Sequence, residues 1–157
     1  MNRDAPARRG RAVGVDLGSR RIGIAVSDSG GTVALPRTTL VRSRDAEGDR
    51  RRLVDLIVGE EAVVVVVGLP LSLDGSRGAA AVGAADEAAA LSVLLEERGV
   101  AVELFDERLT TVTAHQKLAA GGTAERGRRD VVDQVAAAVM LAAWLESTRG
   151  GRGDDRT

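Results

Sequence analysis

The residues of this sequence with chemistry to offer are carboxylates, and their placement allows a folded chain to gather them. Asp16 lies in Gly14-Val15-Asp16-Leu17-Gly18, at the end of an apolar segment. A carboxylate in such surroundings is costly unless it is paired or holds a cation. Asp106 and Glu107 follow the apolar segment Val100 to Phe105, and Asp133 is set among Val131, Val132, Val135 and Ala136. Asp130 falls three residues earlier, on the same helical face as Asp133. Acids at the ends of neighbouring strands, joined by one from a covering helix, can converge on one or two divalent ions. Hard Mg²⁺ takes oxygen ligands, and such clusters cut phosphodiester bonds. Each acid also has a plainer role: Asp130 as a helix N-cap, Asp106-Glu107-Arg108 as a polar corner with an internal ion pair, Asp133 as a surface helix residue. Asp16 is the hardest to explain without a site.

The elements that must position these acids are legible in the patterning. Arg11 to Asp16 and Ile22 to Ser27 read as strands joined by a short turn. Thr32 to Val41 reads as a third strand, which Pro36 demotes to an edge or bulged one. Asp45 to Gly59 carries Leu53, Leu56 and Ile57 at helical spacing. The β-branched run Val63 to Val67 has the character of a central strand buried on both faces. Ala79 to Arg98 is an Ala-rich helix stopped by Gly99, Val100 to Phe105 a further strand, Thr111 to Ala120 a short helix, and Asp130 to Glu146 a final helix capped by Asp130. This order predicts an α/β fold with a mixed five-stranded sheet and helices on both faces. The loop from Gly68 through Pro70 to Ser76 leaves the central strand at its carboxyl end, where open α/β sheets place ligands.

The bulk composition narrows the chemistry. With 157 residues the chain suits one domain, expected over 11–148, with disordered tails at 1–10 and 149–157. It has no cysteine, which excludes disulfides, thiolate metal sites and a cysteine nucleophile. Neither a secretory leader nor an apolar run of membrane-spanning length is expected, so the cytoplasm is the predicted location and no membrane partner is predicted. The net charge of −1 is low for a nucleic-acid-binding protein. Only one of the 22 basic residues is lysine, Lys117; the rest are arginines, and they cluster. Arginine grips phosphate bidentately. Aromatic residues make up 1% of the chain, so base stacking cannot be the main mode of binding. The sole histidine, His115, has a polar setting and is expected at the surface, while Trp144 with Leu141 and Leu145 is expected in the core. No phosphate-binding glycine motif is present.

Four stretches together resemble one family. They are Val13 to Asp28, Val67 to Ser76, Asp106-Glu107-Arg108-Leu109-Thr110-Thr111, and Val132-Asp133 with the Ala-rich helix to Leu141. The family is the YqgF or RuvX group of Holliday-junction-resolvase-like proteins, also described as pre-16S rRNA nucleases, and the resemblance spans roughly residues 12–147. The first stretch alone also resembles the phosphate motif of actin-like ATPases and sugar kinases, but those need two such domains. The resemblance implies an RNase H-like fold and a nuclease using Mg²⁺ or Mn²⁺. Asp16, Glu107 and Asp133 match the family's catalytic, metal-holding acids, with Asp106 assisting. Arg20, Arg21, Arg108, Gly68 and Pro70 are the expected substrate contacts. Ser72 departs from the asparagine common in the second motif. The implied partner is nucleic acid: either pre-16S rRNA trimmed at its 5′ end, or a branched DNA junction, which would require a homodimer. The rival from another class is a non-catalytic nucleic-acid-binding module of the same fold.

Overall fold

The computed structural model describes residues 10–110 and 125–153, with side chains described for 10–110 and 131–149. The chain opens with an antiparallel meander, β1 (Arg11–Leu17), β2 (Arg21–Ser27) and β3 (Ala34–Val41). Helix α1 (Ala46–Gly59), strand β4 (Ala62–Leu69), helix α2 (Ala79–Glu96) and strand β5 (Ala101–Asp106) follow. A 3₁₀ turn (Glu107–Leu109) and a long helix α3 (Glu125–Gly153) complete the described order. The strands form one mixed sheet in the order β3-β2-β1-β4-β5, with β4 parallel to β1 and β5 parallel to β4.

The side-chain alternation of β1 explains the layering. Val13 and Val15 face one side, where they pack with Leu53 and Ile57 of α1 and Leu91 and Leu95 of α2. Ala12 faces the other side and joins Ala137, Met140 and Leu141 of α3. The valine run of β4 lies between β1 and β5, and Val65, Val66 and Val67 are fully buried, as a two-faced strand requires. Pro36 sits on edge strand β3 where the register shifts opposite Ile24 and Ala25, a place that needs no ladder donor. Asp45 caps α1 by accepting from the Gly48 amide at 3.0 Å. Gly99, at φ +72, turns the chain after α2.

The final helix differs most from expectation. It includes Asp130 rather than starting behind it as a cap, and it overruns both Glu146 and the boundary of the expected C-terminal tail. Its far end is tied to the β2–β3 connection, where Arg149 donates to the Gly31 carbonyl at 2.6 Å. By length and composition, Val131–Arg149 also suffices to cross a membrane, contrary to the sequence expectation. Of its apolar residues, Ala137, Ala138, Met140, Leu141 and Leu145 pack on the sheet, while Val131 and Val132 are exposed. The expected helix Thr111 to Ala120, with His115 and Lys117, lies outside the described residues. Trp144 packs at the margin of the α3 core while its indole nitrogen donates to Glu103 at 2.8 Å.

The strand directions bring the chemistry to one end. Strands β1, β3, β4 and β5 finish there and β2 begins there. Helix α3 reaches that end only because two strands carry glycine beneath it. A β-carbon on Gly14 would lie 3.0 Å from Leu141 Cβ and 3.1 Å from the Ala137 carbonyl oxygen, and one on Gly23 would collide with the Asp133 backbone. Gly23→Ala is therefore expected to destabilise the chain by about 2–3 kcal/mol, since backbone must move to admit the methyl. Gly83→Ala, on α2 with open space around it, should stabilise by about 0.5–1 kcal/mol. Urea unfolding of the two variants gives both signs.

Candidate active site

Asp16 shares the α3 side of β1 with Ala12 and Gly14 and pairs across the hairpin with Gly23. Glu107 follows β5, and its carboxyl lies over Gly68, where any β-carbon would strike it; Met140 Sδ would be 2.8 Å from the same point. Gly68 is buried, so it makes room for Glu107 and offers no surface to a substrate. Two strands, β1 and β5, separated by β4, thus converge their acids over the one glycine between them.

The carboxyls of Asp16 and Glu107 share a hydrogen bond. Such a bond needs a proton, which the upward push on both carboxyls favours. Burial raises Glu107 to about 7, with further upward pushes from the Asp16 charge, the shared bond and Asp106. Asp16 is also raised, chiefly by burial, while the bond from Glu107 pulls it down and the Asp133 charge pushes it up. Like charges crowded in a half-buried site call for a proton or a cation.

Asp133 projects from α3 toward this pair but is engaged by a different partner. Arg21 Nε, at the start of β2, donates to Asp133 Oδ2 at 2.7 Å, with about a quarter of each side chain exposed. Asp106 is likewise occupied. It caps the 3₁₀ turn and accepts from the Arg108 amide at 3.0 Å and from Arg108 Nη2 at 2.7 Å, which lowers its pKa. The expected corner with an internal ion pair is thus present, formed by Asp106 and Arg108, while the neighbouring Glu107 goes to Asp16. Among the described residues no group of three acidic or imidazole side chains stands at metal-holding spacing.

Of the expected substrate contacts, Arg20 is exposed with no side-chain partner among the described residues, Arg21 and Arg108 are held by acids, and Pro70 is half-buried where β4 ends. The side chain of Asp130 lies outside the described residues. Gly18 closes the β1–β2 turn, its amide donating to the Arg21 carbonyl at 2.9 Å. Sequence reasoning assigned no role to Gly23 or Met140. An isolated glycine within a strand does signal close backbone approach, and Gly23 was open to that argument; Met140 left no such signal.

A divalent ion suits the Asp16–Glu107 pair. Both are oxygen donors, their ionised forms repel, and Mg²⁺ commonly uses one or two carboxylates while keeping several waters. The family model described as "RuvX: Holliday junction resolvase" matches residues 10–147. The chain belongs to the RuvX family. A relative from Mycobacterium sp. (strain KMS), named "Putative pre-16S rRNA nuclease", is 44% identical over 141 residues, covering 90% of this chain and 82% of its own. One of the same name from Mycobacterium leprae (strain Br4923) is 42% identical, covering 100% and 85%. Among solved structures, Thermus thermophilus RuvC in complex with a Holliday junction substrate aligns at TM-score 0.56 and 15% identity, over 88% of this chain and 96% of that one. The yeast mitochondrial Holliday junction resolvase Ydc2 aligns at 0.55 and 10% identity, over 93% and 82%. The RuvX chain therefore has the RNase H-like fold of these resolvases.

The raised Glu107 makes stability depend on pH in a defined direction. Between its ordinary 4.5 and about 7, the folded chain holds a proton that the unfolded chain has lost, so stability falls as pH rises through that window. In EDTA, Glu107→Gln, which cannot ionise, should lose less stability than the parent between pH 5 and pH 8. Urea midpoints at the two pH values test this, and parallel losses would refute it.

Proposed function

We propose that this RuvX protein is a divalent-metal-dependent nuclease that hydrolyses phosphodiester bonds and processes the 5′ end of pre-16S rRNA in the cytoplasm. The observation that carries the reading is the meeting of Asp16, opposite Gly23 on β2, and Glu107, over Gly68 on β4, at the sheet end where the α3 backbone at Asp133 descends onto Gly23. The names of the relatives support the RNA substrate.

Asp16 and Glu107 would hold the ion, and Asp133 would join them on leaving Arg21. The bound metal, Mg²⁺ or Mn²⁺, would lower the pKa of an attacking water and stabilise the leaving oxygen. The residues do the rest. Glu107 must give up its proton to serve as a ligand. Arg21, freed from Asp133, becomes a cation beside the reacting phosphate. Arg20 in the adjoining turn is open to the neighbouring phosphate, and Arg108 stays fixed by Asp106. Gly68 keeps the Glu107 carboxyl over the strand end.

A second reading is resolution of branched DNA, favoured by the family description and by the junction-bound structural relative. It needs two active sites and so a homodimer, which a solution mass measurement would reveal. A strict monomer would favour RNA processing.

Asp16→Asn should remove cleavage of labelled pre-16S RNA in Mg²⁺ or Mn²⁺ while leaving the fold and RNA binding intact. Full cleavage by that variant, or by the parent in EDTA, would refute the mechanism, and the absence of any metal-dependent cleavage of RNA or four-way DNA by the parent would favour a binding module. Because Glu107 must ionise, Mg²⁺ binding near pH 6 should release about one proton. Calorimetry in buffers of different ionisation enthalpy measures that number, and Glu107→Gln should bring it close to zero.

A further inference from the structure

The arginines divide into two populations. Arg11 and Arg37 pair with Glu60, Arg50 with Glu87, Arg52 with Asp49, and Arg149 with the Gly31 carbonyl. Arg20, Arg42, Arg44, Arg51, Arg77 and Arg98 have no such partner among the described residues, and all are exposed. All of these but Arg98 come from turns, loops or the first turns of a helix at the end of the sheet that carries Asp16. Arg98 follows α2 at the opposite end.

Three of the free arginines adjoin one another. Arg20 lies in the β1–β2 turn, and the Arg42 amide donates to its carbonyl at 2.9 Å. Arg42 and Arg44 flank Ser43 in the link from β3 to α1. That link is fixed by one of the few buried charged groups, Asp49, which the proposed reaction does not use. Asp49 accepts from the Ser43 amide at 2.9 Å and from Ser43 Oγ at 2.7 Å, and Arg52 neutralises it at 2.6 Å. The nearest acid on the link, Asp45, is engaged as the α1 cap. Partly buried polar bonds to Asp49 thus hold a surface segment whose exposed side chains include two cations, Arg42 and Arg44. From Asp16 across β2 to β3 the distance is two strand spacings, roughly 10 Å, which a few nucleotides can span.

We propose that Arg20, Arg42 and Arg44 form a phosphate track. It would carry the single-stranded nucleic acid on one side of the cleaved bond from Asp16, past the β2 and β3 ends, to the start of α1. The proposal rests on the nuclease reading. It commits to backbone contacts, because the chain has one tryptophan, no tyrosine and one phenylalanine, and that phenylalanine, Phe105, is buried. Phosphates are common to RNA and DNA, so the track serves both.

The test uses the full chain carrying Asp16→Asn to stop cleavage, with Mg²⁺ present. Binding to fluorescent 12-nucleotide RNA and DNA strands, and to a duplex of the same length, is followed by anisotropy across a salt series. Replacing Arg20, Arg42 and Arg44 together by alanine should weaken binding to both single strands. It should also reduce the slope of log affinity against log salt by about 0.7 for each arginine removed. Arg98→Ala, an equal change per residue at the other end of the sheet, should leave the slope within error. An unchanged slope in the triple variant, or a loss seen only with duplex, would overturn the track while leaving the nuclease reading in place. No binding of any probe by the Asp16→Asn parent would overturn both. Thermal unfolding of the triple variant at the parent's temperature excludes misfolding as the cause.

Discussion

The site depends on how closely α3 can approach the sheet. In ordinary packing, side chains of both layers stand between a helix and the strands it covers. Here Gly14 and Gly23 remove the β-carbons that would hold it off, and the backbone at Asp133 comes down onto β2 beside Asp16. Every other property of the centre follows. Asp16 and Glu107 are partly buried at this end of the sheet, and burial is the chief cause that pushes both carboxyls up. Gly68 repeats the device one strand further along, for a side chain instead of a helix. The small residues of the sheet are therefore distributed by the needs of the chemistry, and the bulky ones, Val13, Val15, Val65 and Val67, face the opposite layer.

Crowding carboxylates in this way costs stability unless charge is cancelled. The chain has two means of cancelling it. Glu107 retains a proton, and Arg21 supplies a fixed positive charge to Asp133. On the proposed reading, a divalent cation bound by the carboxylates would take over both roles.

Much of this was legible from the sequence. The alternation of β1, the valine run of β4, the proline in the edge strand and the Asp45 cap are local signals, and each corresponds to a local structure. The placement of Asp16 and Glu107 at one end of the sheet was also legible, because β1, β4 and β5 run parallel. The specific partners were not. Asp106 and Glu107 are neighbours of the same charge, and only the turn after β5 decides that the second meets Asp16 while the first caps that turn and binds Arg108. The engagement of Asp133 by Arg21 joins residues 112 positions apart, beyond any local rule. The start of α3 was misplaced because Asp130 is a good cap residue, and propensity at one position does not decide where a helix begins when packing extends it.

That separation along the chain has a consequence for timing. Asp16 is in the first strand to be synthesised and Asp133 in the last helix, and the intervening strands must pair before either has a neighbour. A growing chain on the ribosome can form the β1–β2 hairpin early, yet it has no complete centre until α3 has emerged and docked. On the proposed assignment of Asp16 and Asp133 to one centre, a nascent chain would lack that centre until the fold closes.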